Sequence, residues 1–221
     1  MVDINDWMAK LTADLKSHFG SRLILAGIQG SYQRGEATEN SDIDAVVILD
    51  TLSFGDMKSL KTIIANMPES DKACGFVCGK NELWNWPKHE LFQFVNDTRI
   101  CHGSFDGIVP EIGREDVLES VKIGASGLYH ACCHTYLHGD PQALKSLYKG
   151  AFFILLAIHY LRHGEYVRTK KELLPVLNET ERKMLSVGMN WDEDQKKIAE
   201  NTDEYFDLMI GWCKQVLNER F

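Results

Sequence analysis

The sequence predicts an α+β protein: a small α/β domain with a mixed sheet, followed by an all-α helical bundle. Two short apolar runs, residues 22–28 and 42–49, are rich in β-branched side chains and flank a polar loop, which is typical of two strands. Beyond about residue 110 every segment with regular apolar spacing favours helix over strand. We therefore predict domains at residues 1–110 and 111–221.

The remaining elements of the first domain follow from periodicity. Residues 4–19 place apolar side chains on one helical face, and Gly20 marks the end of this helix. Residues 54–67 also favour helix, and residues 73–78 are expected to form a third strand beside the second. The stretch 87–103 mixes helix and strand signals and is left open.

The second domain is predicted to consist of helices joined by short turns. The segments are residues 116–138, 141–163, 170–177, 179–187 and 192–217. Pro141 near a helix start and Gly164 just past a helix end agree with capping preferences. The longest apolar run, residues 150–158, is too short to span a bilayer and is expected to be bundle core, so no membrane partner is expected.

Composition narrows the class of function. The chain has 24 Lys and Arg against 32 Asp and Glu, a formal net charge of -8 that repels a phosphate backbone. No nucleic-acid partner is therefore expected, and a cationic small molecule suits the protein better. Six cysteines without a secreted-domain spacing, and an N-terminus without a signal peptide pattern, indicate a reducing, cytoplasmic location.

A glycine turn follows the first predicted strand. Gly30 and Ser31 stand directly after the strand, and Arg34 comes three residues later. Glycine allows close backbone approach, and exposed backbone N–H groups beside a serine hydroxyl form a concavity that binds phosphate. The turn is therefore a candidate phosphate site, with Arg34 as an added cation.

A pair of carboxylates opens the second predicted strand. Asp42 and Asp44 follow Ser41 and point to the same face, because side chains alternate along a strand. Such a pair can hold one or two Mg²⁺ ions against a triphosphate. An isolated Asp-x-Asp is usually solvated surface, whereas its order after the glycine turn indicates a nucleotide and metal site.

Residues 30–47 resemble, without a gap, the signature of the DNA polymerase beta-like nucleotidyltransferase superfamily: Gly-Ser, then Arg-Gly, then Ser-Asp-x-Asp before an apolar strand. The resemblance implies that Gly30 and Ser31 hold the nucleotide phosphates and that Asp42 and Asp44 carry the magnesium ions. It also implies in-line attack of a hydroxyl on the α-phosphorus, with pyrophosphate leaving.

The two-domain plan resembles the branch that adenylylates antibiotics, the streptomycin/spectinomycin, kanamycin and lincosamide nucleotidyltransferases. Residues 86–94 are similar to the Trp…Pro…Glu-Leu-Gln-Phe segment that leads into the substrate pocket of the first group. Residues 164–170 resemble the turn that presents a lysine, here Lys170, to the triphosphate. The resemblance implies AMP transfer from ATP, or another nucleotide, to an aminoglycoside-like acceptor, and it keeps a homodimer open.

One position departs from this pattern. These enzymes normally carry a third carboxylate on the strand after the Asp-x-Asp strand, but residues 73–78 contain no acid and the slot falls on or beside Cys74. A cysteine is a poor magnesium ligand. Either Glu82, Glu90 or Asp97 reaches in, with Glu90 preferred, or the chemistry is altered, or the protein binds nucleotide without turnover. The last alternative describes a regulatory or antitoxin-like protein.

Two features of the helical half stay open. His130, His134 and His138 recur every four residues on one predicted helix face. This stripe forms a metal site only with help from elsewhere, and a cleft-lining or packing stripe is preferred. Lys149 stands at the start of an apolar helix, where a phosphate ligand and a solvated lysine are equally open.

Overall fold

A computed structural model describes residues 2–221, which divide into two compact units between Glu111 and Ile112. The first unit is α+β and the second is all helical, as predicted. Each unit has its own hydrophobic core.

A four-stranded mixed sheet forms the centre of the first unit. The strand order is β3-β2-β1-β4, with β1 antiparallel to both of its neighbours and β2 parallel to β3. The strands are β1 (Leu23–Ile28), β2 (Ile43–Leu49), β3 (Ala73–Gly79) and β4 (Arg99–Gly103). The stretch that the sequence left open therefore divides into a helix and the edge strand β4.

Five helices accompany this sheet: α1 (Ile4–Phe19), α2 (Gly30–Arg34), α3 (Phe54–Ala65), α4 (Lys80–Trp84) and α5 (Lys88–Asp97). Asp3 begins α1, because its carboxylate accepts hydrogen bonds from two backbone N–H groups of the first turn. Leu11 and Leu15 of this helix are fully buried, and each contributes roughly 2 kcal/mol by leaving water.

The alternation of β2 sorts its side chains between the two faces of the sheet. Ile43, Ala45, Val47 and Leu49 belong to the core cluster that includes the apolar face of α1. Asp44 lies between the first two of these residues, so it points to the opposite face. The core thus fixes which side of the sheet carries the carboxylate.

An ion-pair network closes the far end of β2. The guanidinium of Arg22 donates to both carboxylate oxygens of Asp56, at 2.8 and 3.0 Å, and to Asp50 at 3.1 Å. Asp56 also completes a capping box with Ser53 at the start of α3. Hydrogen bonds from Arg22 and Ser53 hold the pKa of Asp56 well below its usual range.

The second unit is a bundle in which α6 packs against α7 and α11, and α7 packs against α9. Its helices are α6 (Arg114–His138), α7 (Leu144–His163), α8 (Lys170–Leu173), α9 (Glu179–Met189), α10 (Gln195–Glu200) and α11 (Thr202–Asn218). Lys122 of α6 donates to three backbone carbonyls at the end of α11, those of Val216, Leu217 and Glu219.

Two predicted helices are shorter than expected. Pro175 follows α8, and the chain continues as a single 3₁₀ turn at Leu174–Val176. The segment predicted as one helix over residues 192–217 breaks at Asn201, whose backbone leaves helical geometry and whose side chain donates to the Lys197 carbonyl. Asparagine favours such local bonds over helix continuation.

Helix α7 with its leading turn, Pro141–His163, is long and apolar enough to cross a membrane by length and composition. Of its most apolar window, 61% is buried inside the protein, as expected for the central helix of a bundle.

Candidate active site

The glycine turn and the aspartate strand meet in the first unit. Gly30 has φ +71°, and a Cβ on it would lie 1.9 Å from Oδ2 of Asp44, so no other residue fits. The backbone N–H of Gln29 donates to the Asp44 carbonyl at 2.9 Å. The two sequence motifs are therefore in direct contact.

The carboxylates at the start of β2 carry little local compensation. Asp42 is exposed and Asp44 half-buried, and no side-chain or backbone donor bonds to the Asp44 carboxylate within residues 2–221. Burial raises the pKa of Asp44, Asp42 raises it further, and Arg34 opposes both. This is an electrostatic environment that a bound cation would relieve.

The donor set fits magnesium. Asp42 and Asp44 offer hard oxygen ligands, and Mg²⁺ is usually held by one or two carboxylates together with substrate phosphates and water. Among the described residues no cluster of three or more His, Cys, Asp and Glu forms a closed metal cage. An open site of two carboxylates is what a metal-bound triphosphate requires.

Arg34, predicted as a direct phosphate ligand, is held by other carboxylates. Its side chain is only 8% exposed, and Nη1 donates to both oxygens of Asp97, at 2.9 and 2.8 Å. Nε also bonds to Glu36 at 3.3 Å. The nucleotide-binding role of Arg34 stays a prediction, and its contacts favour support of the turn over direct contact with a phosphate.

The two serines of the motif take different places. Ser31 lies in the first turn of α2, half-buried, and its carbonyl accepts from the Glu36 N–H at 2.8 Å. Ser41 closes the loop that joins α2 to β2, because its hydroxyl accepts from the Thr38 N–H at 2.9 Å. Ser31 and Ser41 both stay predicted nucleotide-binding residues, and the hydroxyl of Ser41 also shapes the loop.

The parallel register of β2 and β3 pairs Asp44 with Cys74. Cys74 is exposed and free, and β3 contains no acidic residue. The position beside the aspartates therefore carries a thiol, as the spacing of the sequence indicated.

Two of the three substitute acids are poorly placed. A Cβ on Gly79 would lie 2.2 Å from Oε2 of Glu82, and Gly79 stands five residues along β3 from Cys74, which is roughly 16 Å. Asp97 is near the turn, but Arg34 and the Gly30 N–H occupy its oxygens. Neither carboxylate is available as a substitute beside Cys74.

Glu90 is the remaining acid. Its side chain is 56% exposed and accepts a hydrogen bond of 2.6 Å from the indole N–H of Trp86. Trp86 and Phe94 both pack against Phe76 of β3, with ring centroids 5.2 and 4.7 Å away. These aromatic contacts place the Glu90 segment of α5 over the strand that carries Cys74, two residues before Phe76.

The predicted lysines belong to the second unit. Lys170 is the first residue of α8, after the turn that ends α7, and its ammonium lies 5.2 Å from the centroid of the Phe152 ring. Lys149 is exposed, and its charge contributes to lowering the pKa of Asp192, which pairs mainly with Lys145.

The histidine stripe does not form a metal cage. His130, His134 and His138 are exposed on α6, with ring centroids 6.3 and 5.4 Å apart. Within the described part of the chain no further His, Cys, Asp or Glu completes a set of three around an ion.

Comparison with known proteins agrees with this geometry. The family model of the nucleotidyltransferase domain matches residues 8–82. Residues 8–82 are therefore similar to a nucleotidyltransferase domain. The matched region includes the glycine turn, both aspartates and the Cys74 strand, in agreement with the nucleotidyltransferase resemblance of the motif.

The chain also shares its fold with a solved structure, spectinomycin adenyltransferase AAD(9) from Enterococcus faecialis with ATP and spectinomycin. The TM-score is 0.60 at 15% identity, over 97% of this chain and 99% of that chain. The fold in common thus extends over both units. No curated protein matches the sequence.

Proposed function

We propose that the protein transfers a nucleoside monophosphate, AMP from ATP, to a hydroxyl of a small cationic acceptor such as an aminoglycoside-like antibiotic. The observation that carries this proposal is the packing of the Gly30 turn against Asp44, with Asp42 exposed beside it. The shared fold with an enzyme solved with ATP and spectinomycin supports the choice of substrates, and the net charge of -8 suits a cationic acceptor.

The phosphates would bind at the turn between β1 and α2. Gly30 allows close backbone approach, and Ser31 adds a hydroxyl beside it. Asp42 and Asp44 would hold Mg²⁺, which when bound neutralises the charge that develops on the phosphates as pyrophosphate leaves. Burial raises the pKa of Asp44, and a bound cation would favour its ionised form.

Glu90 is the proposed general base. A base must be ionised, accessible and fixed in direction, and the Glu90 carboxylate is exposed and held by the Trp86 indole. It would accept the proton of the acceptor hydroxyl while the oxygen attacks the α-phosphorus. The position of Asp97 in an ion pair leaves this role to Glu90.

Lys170 and Lys149 are the candidate nucleotide-binding lysines. Lys170 begins α8 directly after the turn over residues 164–169, where the resembling enzymes present such a lysine. Lys149 remains a second candidate, although the acidic side chain of Asp192 near it favours a solvated role. A cytoplasmic location and a homodimer are retained as expectations.

The test is pyrophosphate release with Mg²⁺ and each of the four nucleoside triphosphates, across a panel of aminoglycosides, spectinomycin and lincosamides. We expect pyrophosphate release with ATP and at least one acceptor. In Glu90→Gln we expect the rate of this release to fall. The mass of the product would identify the adenylylated acceptor, and its NMR spectrum would locate the modified hydroxyl.

A regulatory role is the second candidate, favoured by the thiol of Cys74 in the position of a third carboxylate. If calorimetry shows binding of ATP with Mg²⁺ but no acceptor leads to pyrophosphate release from ATP, the regulatory role is selected over transfer.

A further inference from the structure

We infer that Asp97 is a positioning residue of the nucleotide site: it fixes the Gly30 turn against Asp44. Through the helix that it ends, Asp97 also sets the place of Glu90. The inference rests on the proposed function, because it assigns a new residue to the same site.

Asp97 contacts the glycine turn directly. Oδ2 of Asp97 accepts the backbone N–H of Gly30 at 3.2 Å. The α-carbon of Gly30 in turn packs so closely on Oδ2 of Asp44 that even a methyl group would not fit between them. Asp97 therefore holds the backbone segment that limits where the metal-binding carboxylate can lie.

The carboxylate of Asp97 is itself held in one orientation. Arg34 donates to both of its oxygens, and the two side chains are each 8% exposed. Such charge-assisted bonds fix the carboxylate strongly. Burial raises the pKa of Asp97 while Arg34 opposes this, so the ion pair keeps an acceptor available to Gly30.

Asp97 also connects the glycine turn to helix α5. Asp97 is the last residue of α5, and Gln29 makes a parallel connection by donating to the Phe94 carbonyl and the Thr98 hydroxyl at 3.0 and 2.7 Å. Glu90 lies seven residues before Asp97, about 10 Å along the helix axis on the same face. Asp97 therefore links the helix that carries Glu90, the proposed base, to the turn that packs against Asp44.

A purely structural ion pair is the alternative, and the chain contains one for comparison. Asp56 is buried, binds Arg22 through both oxygens and caps α3, at the opposite end of β2 from Asp44. Asp56→Asn is therefore a matched control for Asp97→Asn. Glu36→Gln is a second control, because it removes the charge of another carboxylate bound to Arg34 and leaves the acceptor of the Gly30 N–H unchanged.

The experiment measures the dissociation constant of ATP with Mg²⁺ by calorimetry, and the melting temperature, on the full chain. We expect Asp97→Asn and Asp56→Asn both to lower the melting temperature. Only Asp97→Asn should weaken nucleotide binding, by about tenfold or more, as loss of a residue that orients metal ligands does. Glu36→Gln should bind as the unsubstituted chain does.

The inference is overturned if Asp97→Asn binds as tightly as the unsubstituted chain, or if Asp56→Asn weakens binding equally. If Asp97→Asn does not fold, Arg34→Lys makes the same comparison, because lysine keeps the charge but loses the guanidinium that binds Asp97 through Nη1 and Glu36 through Nε. Absence of nucleotide binding by the unsubstituted chain overturns the proposed function together with this inference. Failure of the inference alone leaves that binding intact.

Discussion

At the far end of β2 Arg22 binds Asp56 through two hydrogen bonds, whereas at its start Asp42 and Asp44 lie together and Arg34 pairs elsewhere. Both ends carry carboxylates and a nearby arginine, Arg22 in the 3₁₀ turn before β1 and Arg34 at the end of α2. One arginine neutralises the acids at its end of the strand, and the other stabilises the turn beside them. The charge left at the start of β2 is therefore available to a ligand.

The pKa shifts follow this difference. Hydrogen bonds from Arg22 lower the pKa of Asp56, and burial raises the pKa of Asp44. A carboxyl whose folded pKa is lowered stabilises the fold above its unfolded pKa, while one whose folded pKa is raised destabilises the fold at neutral pH. Functional sites commonly lower stability in this way.

The largest expected effect comes from the aspartates. Asp42→Asn or Asp44→Asn should lower pyrophosphate release on the order of 10³-fold, because a metal-bound transition state loses several kcal/mol of stabilisation. Asp44→Asn should also raise the melting temperature of the nucleotide-free protein at pH 7, since it removes a buried charge. Activity assays and thermal unfolding of the same samples check both parts. An active Asp44→Asn protein would refute the assignment.

Glu90→Gln should have the next largest effect, a fall in kcat of about 10²-fold, because a general base contributes at least that much. The amide keeps the shape of the side chain, so binding of ATP with Mg²⁺ should not change. Trp86→Phe is the matched control: it removes the indole donor and should lower kcat less. Equal losses in binding and kcat would show that Glu90 acts on nucleotide binding.

Arg22→Gln should affect stability and leave the site unchanged. At pH 7 it should lower the melting temperature, because Asp56 and Asp50 lose their cation. Asp56 has a lowered pKa, so this stabilisation is complete above its ordinary value of 3.8 and disappears as the pH falls further towards the folded value. The melting temperatures of Arg22→Gln and the unsubstituted chain should therefore converge in strong acid. Weakened nucleotide binding in Arg22→Gln would contradict the division between the two ends of β2.

The smallest effect is expected at Cys74. Cys74→Ser should leave pyrophosphate release and the Mg²⁺ concentration for half-maximal activity unchanged, because a thiol is a poor magnesium ligand. A clear loss in Cys74→Ser would show that the thiol itself takes part, and the reaction would then differ from simple two-carboxylate chemistry.

Local signals explain why much of the fold could be predicted. The β-branched runs before Gln29 and after Asp42, the helical spacing before Gly20 and the ordered motif between the strands all lie within a few residues of one another. Each is visible in a short window of sequence. The first three strands, the place of β3 beside β2, the mixed sheet and the helical half were accordingly predicted, whereas β4 was left open.

Contacts distant in sequence explain what could not be predicted. Arg34 meets Asp97 across 63 residues, and no local pattern distinguishes that pairing from a phosphate-binding arginine. The choice among Glu82, Glu90 and Asp97 likewise depended on which contacts each carboxylate makes once the sheet has formed. The mixed signals of residues 87–103 reflect a helix followed after one residue by a strand.

The most direct test of the site is calorimetric titration of ATP into the unsubstituted chain and Asp44→Asn, each with and without Mg²⁺. If Asp44 holds the ion, Mg²⁺ should strengthen binding to the unsubstituted chain, and this gain should disappear in Asp44→Asn while metal-free binding persists. An equal gain from Mg²⁺ in both proteins would contradict a magnesium site at the start of β2.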